Sequence, residues 1–136
     1  MRAVIDVNVL VAALLSAGGA PARVLRLWLD GAFELLVSPA LVSELQRALA
    51  HPKIRAHVSA AEARRLVALL ETGAQLVPDP SGEPPVAPAD PDDGYLVALA
   101  AAHGAALVTG DADLLALQAR GVPVLSPTEF LRQLER

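Results

Sequence analysis

Residues Ala3-Val4-Ile5-Asp6-Val7-Asn8-Val9-Leu10-Val11 form an almost unbroken apolar run near the start of the chain, β-branched at Val4, Ile5 and Val7. Such a run reads as a strand buried on both faces of a parallel sheet. Asp6 sits in the middle of it, with Asn8 two residues on. An ionised carboxylate in such surroundings is costly unless something compensates it. Either the strand ends at Ile5 and Asp6 caps a following helix, or the carboxylate is buried for a chemical reason. The rest of the chain bears on the choice, because three more acids stand where apolar residues are expected.

Beyond this run, strands and helices alternate. Asn8 is a suitable cap for a helix over Val9 to Ser16, stopped by Gly18-Gly19. Ala20-Pro21 restarts a helix to about Asp30, with Gly31 as its stop. Phe33 to Val37 is a short strand, and Ser38-Pro39 opens a helix to about Ala50, broken at His51-Pro52. Lys53 to Val58 reads as a helical turn. Ser59-Ala60-Ala61-Glu62 is a capping box for a helix to about Thr72, ended by Gly73. Gln75 to Val77 reads as an edge strand, and Pro78 to Pro91 as a loop rich in proline and acid. Asp90 or Asp92 caps a helix to His103. Ala105 to Thr109 is a buried strand, Leu114 to Ala119 a short helix, and Val122 to Leu125 the last strand. Ser126-Pro127-Thr128-Glu129 opens a final helix. This alternation predicts an α/β fold with a parallel sheet and right-handed crossovers. The 136 residues read as one domain, 1–136.

Several functional classes are disfavoured by composition. The chain has no cysteine, so it has no disulfide framework, thiolate metal site or Cys nucleophile. Aromatic residues are 3%, too few for a stacking platform on nucleobases. The net charge of −4 argues against a simple electrostatic nucleic-acid binder, though not against an enzyme that brings cations to a phosphodiester. No signal peptide or membrane-spanning run is visible, which leads us to expect a cytoplasmic protein with no membrane partner.

The acids carry the chemistry. In the helix from Pro39, Glu44 lies beside the apolar positions Leu41, Leu45 and Ala48. Asp93 precedes Leu96, Val97 and Ala100 and so begins the apolar stripe of its helix. Asp111 lies just past the carboxyl end of a strand, as Asp6 does, and ligands of open parallel sheets bind outside such ends. Each acid has an ordinary reading: a border Glu reaching solvent, an Asp favoured by a helix dipole, turn chemistry at Gly110-Asp111-Ala112-Asp113. One hypothesis covers all of them, namely that Asp6, Glu44, Asp93 and Asp111 converge at one end of the sheet. Clustered carboxylates repel unless cations are present. An all-oxygen site open to water suits Mg²⁺ or Mn²⁺ rather than zinc.

Four segments in this order resemble the PIN-domain family, the fold of VapC-type toxins. They are Asp6-Val7-Asn8-Val9-Leu10, then Ser43-Glu44-Leu45 with Leu49-Ala50-His51-Pro52-Lys53. After these come Asp90-Pro91-Asp92-Asp93-Gly94-Tyr95-Leu96, and Leu107-Val108-Thr109-Gly110-Asp111-Ala112-Asp113-Leu114-Leu115. The resemblance implies a three-layer α/β/α fold and metal-dependent endoribonuclease activity that leaves a 5′-phosphate and a 3′-hydroxyl. It implies that Asp6, Glu44 and Asp93 bind metal directly or through water and that Asp111 completes the site. Asn8 and Thr109 would orient those groups by hydrogen bonding. Asp113 remains an alternative to Asp111, and Asp92 to Asp93, although spacing to the following apolar residues favours Asp111 and Asp93.

As a toxin the protein would act on RNA, pair with an antitoxin protein and form a homodimer, all by resemblance only. Arg23, Arg26, Arg47, Arg55, Arg64 and Arg65 are candidates for phosphate contacts, with a solvated helix face as the ordinary alternative. His51, His57 and His103 read as non-catalytic. Two other α/β phosphoryl-transfer families fit less well. A haloacid-dehalogenase-type phosphatase requires a second Asp where Asn8 stands, and a phospho-receiver domain requires a Lys near the end of the sheet, whereas Lys53 is the sole lysine. A PIN-like module that binds RNA or protein without cutting is the remaining alternative.

Overall fold

The computed structural model describes residues 1–135. Strand β1 (Arg2–Ile5) lies at the centre of a five-stranded parallel sheet. Its neighbours are β2 (Glu34–Val37) on one side and β4 (Ala106–Val108) on the other. The edges are β3 (Gln75–Leu76) beside β2 and β5 (Val124–Leu125) beside β4, giving the order β3-β2-β1-β4-β5. Ala3, Val4 and Ile5 are buried in succession, so both faces of β1 are covered. The fold is therefore the α/β architecture expected, with helices on either side of a parallel sheet.

The helices are α1 (Val7–Leu15), α2 (Ala20–Leu29), α3 (Pro39–Ala50), α4 (Pro52–Arg55), α5 (Ala60–Gly73), α6 (Gly94–Ala102), α7 (Ala112–Leu115) and α8 (Pro127–Leu134). Short 3₁₀ turns precede α6 (Pro91–Asp93) and follow α7 (Ala116–Arg120). Helix starts follow local chemistry. Ser38 Oγ accepts from the Leu41 amide at 3.3 Å, and Pro39 supplies the first turn of α3. The two Ser-x-x-Glu segments both form reciprocal capping boxes, at Ser59/Glu62 and Ser126/Glu129. Gly121, with φ at +84°, closes the turn after α7 in a conformation that other residues adopt at a cost.

The strand ends at Ile5 and Asp6 caps the following helix, the first of the two readings of this run; α1 therefore starts at Val7, two residues before the start that an Asn8 cap would give. The Asp6 amide still donates to Val108 O at 2.9 Å, so this residue is both the last rung of β1 and the start of α1. The apolar run beyond it is helix rather than strand, buried at Val7, Val9, Leu10 and Val11. The last strand is shorter than the expected Val122 to Leu125, and Gly73 is the final residue of α5 rather than the residue that follows it.

The core includes residues of every layer and contains an edge-to-face pair, Phe33 and Phe130, with ring centres 4.9 Å apart. Among the described residues no single helix is long and apolar enough to cross a membrane; α1 and α2 would do so only together, and they are bent by 100° at their junction.

Candidate active site

The chain runs from β1 to β2 and then β3 on one side, whereas α6 leads to β4 and β5 on the other. The winding direction thus reverses between β1 and β4, and the crevice at the carboxyl ends of two such strands is where open α/β sheets bind ligands. Asp6 follows β1 at that point, and Thr109 and Asp111 follow β4.

These three residues form one hydrogen-bonded unit. The Thr109 hydroxyl, fully buried, donates to Asp6 Oδ2 at 2.8 Å and accepts from the Asp111 amide at 3.1 Å. The Asn8 amide donates to Asp6 Oδ1 at 3.3 Å. Only 4% of Asp6 is exposed. Its burial pushes the carboxyl above the usual range, the Thr109 and Asn8 donors pull it back, and the Glu44 and Asp111 charges push it up again.

Asn8 does hydrogen-bond to Asp6. It acts through its main chain, and its side chain is exposed. The reason is geometric: as the second residue of α1 its amide points at the cap, so the side chain is turned away from Asp6.

Asp93 arrives from the other side of the crevice, at the junction of the 3₁₀ turn and α6. Its carboxylate makes no capping bond. That task falls to Asp90, whose Oδ1 accepts from the Asp92 amide at 2.9 Å. The Asp93 carboxyl is pushed up to about 6, first by burial and then by the charges of Asp6, Asp90, Asp111 and Glu44. Asp6, Glu44, Asp93 and Asp111 therefore share one electrostatic neighbourhood. Asp92 and Asp113 are exposed, and Asp111 accepts from the Asp113 amide at 2.8 Å as the cap of α7.

Glu44 is half-buried on α3, and its Oε2 accepts a hydrogen bond from the hydroxyl of Tyr95 on α6. Sequence reasoning did not single out Tyr95. One signal was available: it is the only tyrosine of the chain, two residues after Asp93 in an otherwise aliphatic helix. Burial raises its phenol, and so do the carboxylates of Glu44, Asp6 and Asp93. It therefore stays a hydrogen-bond donor.

Two observations bear on whether a divalent cation suits these residues. Among the described residues no salt bridge reaches any of the four acids; the recorded pairs are Arg2–Glu34 and Arg23–Glu135. The group is an all-oxygen donor set with uncompensated negative charge, which matches a hard divalent ion in charge and chemistry. As the side chains stand, however, no three described acids are close enough together to grip an ion. The donor set fits such a cation, and the side chains do not form a closed cage.

The basic residues have other partners or are exposed. Arg26 donates to Ala17 O at 2.9 Å, and Arg55 donates to Leu49 O at 3.4 Å. Arg47, Arg64 and Arg65 are exposed. A hollow of about 490 Å³, lined by Leu49, Arg55, Arg64, Val67 and Glu71, includes none of the four acids. His51 caps α4 through Nδ1, which accepts from the Lys53 amide at 3.2 Å, and His103 ends α6.

A family model described as PIN domain matches residues 2–113, a span that holds all four acids. The chain is 25% identical to the uncharacterized protein MJ1680 of Methanocaldococcus jannaschii, covering all of this chain and 93% of that protein. Among solved structures it is similar to PAE2754 from Pyrobaculum aerophilum, with a TM-score of 0.65 and 19% identity over 99% of this chain and 90% of that one.

Proposed function

The chain belongs to the PIN-domain family, whose members are generally nucleases, and from that premise we propose that it is a metal-dependent endoribonuclease. The single observation that carries this reading is the buried Asp6–Thr109–Asp111 unit at the reversal point of the sheet, charge-coupled to Asp93 and Glu44. The proposed reaction is hydrolysis of an RNA phosphodiester, leaving a 5′-phosphate and a 3′-hydroxyl. Asp6, Glu44, Asp93 and Asp111 would hold Mg²⁺ or Mn²⁺. Bound there, such an ion supplies an activated water and takes up charge on the leaving oxygen.

The protein's own residues prepare the site. Two donors fix the Asp6 carboxylate in one orientation and favour its ionised form against the cost of burial. The Thr109 hydroxyl has one proton, and giving it to Asp6 leaves its oxygen free to accept from the Asp111 amide. Through Thr109 the main chain at Asp111 is thereby linked to the Asp6 carboxylate. The biological role we propose is that of a toxin held in check by an antitoxin protein, acting as a cytoplasmic homodimer.

The second reading, a PIN-like module that binds RNA or protein without cutting, is favoured by one observation: the acids do not form a ready-made cage. Cleavage assays on one RNA and its DNA counterpart, with Mg²⁺, Mn²⁺ or chelator, separate the two readings. The nuclease reading expects RNA to be cut only with a cation, and Asp6→Asn to lower the rate by at least roughly 100-fold. Cutting that survives chelator, or an Asp6→Asn variant as active as the parent, overturns it. A small DNA-binding protein encoded in the adjacent reading frame would support the toxin role, and a purified chain that remains monomeric would remove the dimer.

A further inference from the structure

Building on the nuclease reading, we propose that Tyr95 is a positioning residue whose hydroxyl holds the Glu44 carboxylate within the acid group. The two residues are 51 positions apart, and among the described residues theirs is the one side-chain hydrogen bond joining α3 to α6.

Glu44 needs such a partner. It stands at the border of the core face of α3, half-buried, on a side chain with three rotatable bonds. Asp6 and Asp93 both feel its charge, so repulsion drives it outward. A lysine or arginine could restrain it, but would neutralise the negative charge and compete with a cation for the same oxygens. A phenol restrains it without adding charge and donates to one oxygen only. The ring is suited to this task because it is partly buried and packed against the hydrophobic core. It has few degrees of freedom to lose, so the donor is fixed before any ligand arrives. The geometry thus points to a clamp in which α6 supplies a rigid neutral donor and α3 the mobile carboxylate.

The test is Mn²⁺ binding to the metal-free chain without RNA, read by electron paramagnetic resonance of the free ion. Parent, Tyr95→Phe, Glu44→Gln and the double variant are compared, with thermal melts to verify folding. Loss of a partner that orients a metal ligand is expected to weaken Mn²⁺ binding by roughly 10-fold in Tyr95→Phe. The Mn²⁺ concentration needed for half-maximal RNA cleavage should rise by a similar factor, with the KM for RNA at saturating Mn²⁺ unchanged. In the Glu44→Gln background Tyr95→Phe should add nothing, because the tyrosine acts through that carboxylate. Parent-like Mn²⁺ affinity in Tyr95→Phe, or losses that add in the double variant, overturn the clamp and leave the nuclease reading standing. A parent that neither binds Mn²⁺ nor cuts RNA overturns both.

Discussion

At the residue scale, Asp93 gives the sharpest pH dependence. Its carboxyl titrates near 6 in the folded chain and near 3.8 in an ordinary setting. Between those values the native protein holds more protons than the unfolded chain. Stability therefore falls as pH rises through that window, the opposite of a salt-bridged aspartate. Asp6 shifts in the same direction. In chelator, Asp93→Asn should melt higher than the parent at pH 7, with the difference closing near pH 4. A gap of constant size at all pH values would show that burial and neighbouring charges do not act on Asp93 as described. The acids themselves were legible in the sequence because a charge inside an apolar pattern stands out. Tyr95 was not, since an aromatic in an apolar helix reads as core and its partner lies 51 positions away. Asp6 and Asn8 are both cap residues by type, so the local sequence does not choose between them; Asp6 takes the place and Asn8 donates its amide to it.

At the element scale, starts were easier to read than ends. Ser38-Pro39, Ser59 with Glu62, and Ser126 with Glu129 announce α3, α5 and α8 because capping is settled within four residues. The boundary between β1 and α1 was ambiguous because both are buried, and an apolar run shows no period that separates a buried strand from a buried helix. Helix α3 matters most among these, since it carries Glu44. Its start is held by Ser38 Oγ, fully buried, and by Asp79, whose two carboxylate oxygens accept from the Ala40 amide at 3.1 and 3.3 Å. Ser38→Ala should cost about 1–2 kcal/mol of stability in denaturant melts, as loss of a cap does. Asp79→Ala should cost less, because that residue is exposed and shares the terminus with Ser38. If the two variants prove equal, or Ser38→Ala is neutral, the buried cap does not anchor α3.

For the whole molecule, the arrangement of charge decides what the fold can gain from a ligand. The chain carries a net charge of −4, and among the described residues no arginine or lysine makes a salt bridge to any of the four acids that are coupled through their charges. The topology brings them together from β1, α3, the start of α6 and the end of β4, segments spread over more than a hundred residues. Folding therefore concentrates repulsion that the unfolded chain does not have, and under the proposed function a divalent cation that binds only the folded form would relieve it. By mass action, a ligand present at 100 times its Kd stabilises the native state by about 2.7 kcal/mol. For a chain of this length that corresponds to a Tm rise on the order of 10 °C. The expected result is a rise of this size with Mg²⁺ or Mn²⁺ at pH 7, and little with NaCl at matched ionic strength, which screens but does not bind. The rise should shrink as pH falls below 6, where Asp93 takes up a proton in place of the cation. Asp6→Asn should abolish most of it while keeping a cooperative melt. A Tm that responds equally to Mg²⁺ and to NaCl would mean that the acids are merely screened, and that this crevice binds no cation.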